Sequence, residues 1–264
     1  MKHKFLSDLN WVCQSPFLMD HDFSCEGIDT FDTTPDLPDD WQSMEKGRIG
    51  HYFEWLHQYA MKLRGFDVLA YNLQVQVEGR TLGEFDMIYR MGDAIIHREL
   101  AVKFYISRES QSAWNTWHGP NGKDRLDLKM DKLLNSQLCL SDQPEAKAFL
   151  QSKDIPEITH RELFIKGRFF YHWSDWISES CTFPDQAAEG HLKGWWIDKN
   201  NLSELPMADY VILERSEWLG SGAEKKHMIS YLELEDHFAT IERAVLLVRL
   251  NDYGAEIDRG FVIV

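Results

Sequence analysis

Apolar and polar positions alternate with a period of two through three consecutive runs, "DVLAYNLQVQVE", "TLGEFDMIYR" and "AIIHRELAVKFYIS", which predicts three strands. The turns between them, "EGR" and "MGD", are short and polar, which favours an antiparallel meander. Ahead of the strands, from Met44 to Arg64, the period changes. Ile49, Phe53, Leu56, Ala60 and Leu63 recur at steps of three and four, the spacing of a helix with one apolar face, and Gly65 can supply its left-handed end. After a Trp-, Asn- and Gly-rich loop, "AWNTWHGPNGKD", residues 123–140 return to helical spacing. Leu126, Met130, Leu133, Leu134 and Gln137 fall on one side, with Arg125, Lys129 and Lys132 as a neighbouring basic stripe. "RELFIKGRFFYHW" then reads as a fourth strand, so residues 44–173 run helix, three strands, helix, strand.

The flanks are less regular. Residues 1–43, ending in the Asp-, Thr- and Pro-rich "DTFDTTPDLPDDW", read as an irregular arm whose aromatics pack on the body. Residues 174–264 carry two strand patterns, "DYVILE" and "AVLLVRL", and a helical stretch around Tyr231 to Arg243. Without an internal repeat or a low-complexity linker, they are expected to form an extension packed on the core. The expected class is α/β in the α+β sense.

Charge narrows the functions. With 28 basic and 43 acidic residues the formal net charge is −15, the wrong sign for a protein that coats nucleic acid non-specifically. From Arg98 to Asn135, however, seven Lys or Arg face five acids, so any polyanion site is expected around the middle of the chain. No apolar run approaches the ~18–20 residues of a membrane span, and the N-terminus lacks the apolar stretch of a signal peptide. A cytoplasmic protein is expected. Cys13, Cys25, Cys139 and Cys181 lie far apart without a CxxC pair, the pattern of free thiols.

The candidate chemistry lies in the strands. Residues two apart share a strand face, so Glu99, Ala101, Lys103 and Tyr105 point one way and Leu100, Val102, Phe104 and Ile106 the other. Glu84 and Asp86 share a face of the preceding strand. If the two strands pair, carboxylates and an ammonium converge on one patch, a donor set suited to Mg²⁺ or Mn²⁺. Such an ion can polarise a phosphate and activate a water, with a lysine stabilising the developing charge. The plainer alternative is an ion pair of Asp86 or Glu99 with Lys103 or Arg98.

Helix, three strands, helix, strand, with an Asp on the second strand and a Glu and a Lys on the third, resembles the PD-(D/E)XK superfamily of restriction-endonuclease-like nucleases. More narrowly, "GRTLGEFD", "HRELAVKFYIS", "GPNGKDRLDLKMDKLLNSQL", "KGRFFYHW" and "HLKGWW" resemble a bacterial domain-of-unknown-function family, number eighteen fifty-three. The superfamily resemblance implies Asp86 and Glu99 as metal ligands and Lys103 as the catalytic lysine. It further implies Glu54 on the first helix as a carboxylate near the metal, and Gln137 as a glutamine facing the site. One position departs from the pattern: the Glu and Lys of the third strand stand four residues apart, with Ala101 between them on the same face, where the superfamily has two. Lys103 then acts from a displaced position, or the site is degenerate.

Other motifs carry less. "GPNGKD" lacks the spacing and the Ser or Thr of a phosphate-binding loop, and the eleven histidines lack ligand spacing. Trp114, Trp117, Trp173, Trp176, Trp195 and Trp196 either stack on bases or build the core. Two readings follow: a Mg²⁺- or Mn²⁺-dependent nuclease acting on DNA or RNA, with DNA favoured, or an inactive module of the same fold that binds nucleic acid or a protein.

Overall fold

The computed structural model describes residues 2–23, 25–28, 31, 34–220 and 228–264; parts of the Asp- and Pro-rich stretch of the N-terminal arm lie outside them. In chain order the elements are α1 (Lys2–Gln14), α2 (Trp41–Glu45), α3 (Ile49–Leu63), β1 (Asp67–Val77), β2 (Arg80–Met91), β3 (Ala94–Ser107), β4 (Trp117–His118), α4 (Leu126–Lys132) and α5 (Pro144–Ser152). They continue with β5 (His160–His172), α6 (Trp173–Ile177), β6 (Lys193–Asp198), β7 (Asp209–Leu213), β8 (Met228–Ser230), α7 (Leu234–Phe238), β9 (Val245–Leu250) and β10 (Glu256–Ile263).

The strands form one mixed sheet in the order β1-β2-β3-β5-β6-β10-β9-β7-β8, with β4 against the end of β3. The mixed α/β composition agrees with the α+β expectation. β1, β2 and β3 make the antiparallel meander; β5 joins β3 in parallel, and β6 carries the sheet on into the C-terminal strands. The alternation on β3 sorts its side chains as its period demands. Leu100, Val102, Phe104 and Ile106 enter the cluster built with α1 and α3, whereas Ala101 and Tyr105 enter the one built with Leu126, Met130 and Trp117. Helices thus cover both faces of β3. Where β5 passes beside Lys103, Gly167 has φ +150°, and a Cβ there would stand 1.8 Å from the Lys103 carbonyl oxygen, so the two strands approach as closely as they do only with glycine.

Four elements differ from the sequence expectation. The N-terminal arm is not irregular throughout: Lys2–Gln14 is a helix that buries Phe5, Leu9 and Val12. Its buried Asp8 is held by Lys4 at 2.7 Å and by the Tyr52 hydroxyl at 2.9 Å. The first core helix starts at Ile49, because Gly47 ends the separate turn of α2; Gly65, at φ +72°, closes α3 as expected. The helix expected over 123–140 is α-helical only to Lys132. Leu133–Gln137 widens into a π-type turn and Leu138–Asp142 tightens to 3₁₀. The C-terminal helix shrinks to a 3₁₀ turn and the five-residue α7.

Candidate functional site

The site forms where β2 leaves β3. Their ladder runs from Met91↔Ala94 to Met87↔Arg98 and stops there. At the next position the Asp86 carboxylate takes over from the backbone, its Oδ2 accepting the Leu100 N–H at 2.8 Å. Beyond that bond β2 follows β1 alone, through an irregularity in register between Val75 and Gln76. Gly83 lets the following segment close down: a Cβ there would come within 2.9 Å of a Leu140 methyl. On the side vacated by β2, β3 next meets a strand only at Ile106, where β4 begins.

Glu99 is fully buried beside this opening. Its Oε1 lies 2.7 Å from His97 Nε2, and its Oε2 accepts from Gln137 Nε2 at 2.5 Å. Burial lowers the His97 pKa to about 4, so the ring is neutral near pH 7 and donates to the carboxylate. The π-type turn brings Gln137 to this point: one extra residue per turn re-aims a side chain that regular helix would carry elsewhere. Gln137 Oε1 in turn accepts from Lys129 Nζ at 3.3 Å, giving the chain Lys129–Gln137–Glu99.

Asp86 and Glu99 face the same opening from neighbouring strands, Asp86 bonded to the Leu100 N–H next to Glu99. Burial raises both to about 7, and the charge of Glu99 adds to the shift at Asp86. Glu54, on α3, stands at the same opening. Burial, and then the charges of Asp86, Glu84 and Glu99, push it to about 7 as well. Lys129 is the ammonium whose field opposes the shift at all three carboxyls. Desolvation in turn lowers its own pKa.

The structure therefore brings Glu54, Asp86, Glu99 and Gln137 together. Lys103 lies on the same face of β3 but turns to Asp124, at 2.6 Å, and Glu84 stands at the rim, accepting from Gln74 at 3.2 Å. His97 and Lys129 belong to the site and were not singled out by the sequence. His97 appears there as one histidine in an apolar strand, and Lys129 as part of a helix face on which Lys and Asp alternate. Trp117, Trp173 and Trp195 are buried in the core clusters, and all four cysteines are free.

Among the described residues, no group of three or more His, Cys, Asp or Glu is arranged to hold a metal ion. The pair remains. The two carboxyls facing the opening offer oxygen donors to a hard divalent cation, and Mg²⁺ is commonly held by one or two carboxylates with water and phosphate completing its shell.

A family model described as "Domain of unknown function (DUF1853)" matches residues 7–263. A UPF0102 protein of Chelativorans sp. (strain BNC1) is 32% identical over 81 residues, covering 26% of this chain. The chain spans 61% of that relative's length. No solved structure matches the chain. No helix among the described residues is long and apolar enough to cross a membrane.

Proposed function

The chain belongs to the DUF1853 family, and from the geometry of the opening between β2 and β3 we propose that it is a metal-dependent nuclease, hydrolysing phosphodiester bonds in DNA or RNA. One observation carries this reading. Asp86 on β2 and the fully buried Glu99 on β3 meet at the opening together with Glu54, where burial raises all three carboxyls, and they have no arginine partner among the described residues. Evolution of a stable core alone would favour replacing such a cluster with apolar side chains or giving it a full set of cations.

In this reading Asp86 and Glu99 hold Mg²⁺ or Mn²⁺, and DNA is the favoured substrate. The bound ion supplies Lewis acidity toward a phosphate oxygen and an acidified water. The remaining roles belong to the chain. His97 and Gln137 fix the two oxygens of Glu99. Glu54 accepts a proton from, or a hydrogen bond of, the attacking water. Lys129 takes the part that the superfamily gives to a lysine on the third strand: its ammonium acts on all three carboxyls, and it reaches the site from α4 in place of the side chain that Ala101 lacks. Lys103, engaged with Asp124, serves the approach to the site.

The test is a cleavage time course on labelled single-stranded, duplex and branched DNA and on RNA, with Mg²⁺ or Mn²⁺. Wild type is compared with Asp86→Asn, Glu99→Gln, Lys129→Ala and Lys103→Ala. Cleavage that needs the metal, falls by about 10²–10³ in the first three variants and by less than about tenfold in the fourth, is expected. Absence of cleavage by the folded wild type on every substrate overturns the reading and leaves a module that only binds.

A further inference from the structure

A cleft of about 1300 Å³ opens further along β3 from Glu99, between the segment Val102–Phe104 with loop 119–124 on one side and the C-terminal elements on the other. It exceeds the ~300–1000 Å³ usual for small-ligand pockets. Its lining has two characters. Val102, Phe104, Leu213, Trp218, Ile241 and Val245 make an apolar floor. Around them stand Lys103, Arg108, Lys123, Arg215 and Arg243, five cations against the three acids Asp124, Glu214 and Glu242, in a chain of net charge −15.

Two of those acids are already engaged. Asp124 pairs with Lys103, and Glu214 caps the turn Arg215–Glu217. Arg108, Lys123, Arg215 and Arg243 are exposed and form no ion pair with a described residue. The buried indole N–H of Trp218 likewise has no hydrogen-bond partner among the described residues. Across one end of the cleft, Asn121 Oδ1 accepts the Ala244 N–H at 3.3 Å, joining the two walls.

We propose that this cleft takes a single nucleic-acid strand, with its phosphates on the cationic rim and its bases over the apolar floor, and that segments 212–218 and 237–245 exist in part to supply the second wall. The inference rests on the nuclease reading above and names its substrate as single-stranded. A duplex presents phosphates but hides the faces of its bases, so it would use the rim and leave the floor wet; a single strand uses both.

The test is fluorescence polarisation with a labelled single strand and the corresponding duplex, in EDTA at low salt, so that no turnover is needed. Wild type is expected to bind the single strand about tenfold or more tightly than the duplex. Arg215→Glu with Arg243→Glu weakens single-strand binding about tenfold or more and flattens its salt dependence, by about 0.7 in logarithmic slope for each phosphate that is no longer neutralised. Arg108→Glu with Lys123→Glu, on the facing wall, does the same, which covers the case in which the first pair disturbs the packing of Trp218. Lys147→Glu, on α5, leaves binding unchanged. Unchanged binding in both double variants, or a preference for duplex, overturns the inference. If metal-dependent cleavage persists in that case, the nuclease reading stands without it. Weakened binding in both double variants with no cleavage by wild type supports the cleft and counts against the nuclease.

Discussion

Arg98 and Glu99 are neighbours on one strand, both almost wholly buried, and they are treated in opposite ways. On one face, Arg98 meets Glu162 at 2.7 Å, donates to the Tyr89 hydroxyl at 2.8 Å, and places Nη1 3.2 Å from His57 Nε2. His57 is kept neutral by burial and by that guanidinium, so it can accept from it. Arg98 and Glu162 are each other's ion-pair partners there. On the other face, Glu99 has hydrogen-bond donors but no guanidinium, and two more carboxyls crowd it. A paired charge of this kind is a structural joint, costly to break. The carboxyls gathered on the other face are where the proposed function puts a cation from solution.

Four variants sharpen this contrast, the largest effect first. Arg98→Met removes the cation and strands Glu162, and is expected to cost about 3–5 kcal/mol in a chemical or thermal melt, at about 2–4 °C for each kcal/mol. A cost below about 1 kcal/mol would mean that the two faces are not different in kind. Asp86→Asn and Glu54→Gln go the other way. Their carboxyls have folded pKa values raised to about 7, above the unfolded values near 4, so ionisation destabilises the fold as pH rises from about 4 through 7. Each amide is therefore expected to raise stability at pH 8 in EDTA by about 1–2 kcal/mol, read as a higher melting temperature, and to leave it unchanged at pH 4. A drop at pH 8 would show the carboxylates to be stabilising partners. The smallest change is expected for Lys103→Met, whose pair with Asp124 is partly exposed and contributes at most about 1 kcal/mol.

Local periodicity made α3, the β1–β3 meander and β5 legible, because each carries its own pattern of burial and its own turn. The face carrying Glu99 and Lys103 could be read in the same way. Helix α1 was hidden although Phe5, Leu9 and Val12 stand at helical steps, since charged Asp8 lies within the same buried stripe and is tolerated only through Lys4 and Tyr52. Strands β6 and β10 pair in parallel across sixty-odd residues, as Gly260 opposite Trp195 illustrates, and no local signal announces that. Lys129 was the hardest residue to read. It sits among alternating charges that look solvated, and what makes it part of the site is the π-type turn beyond it and the Gln137 bond to Glu99, 38 residues away in sequence.

The most direct test of Asp86 and Glu99 as a cation site is a calorimetric titration of Mn²⁺ into the wild-type protein at pH 7.5, repeated with Asp86→Asn and with Arg98→Lys as a control on the opposite face. Saturable binding with proton release is expected in the wild type and the control, and its loss in Asp86→Asn, because the ion displaces protons from carboxyls raised to about 7. No binding by the folded wild type, or binding that survives in Asp86→Asn, would contradict the assignment and leave the cluster an internal polar network.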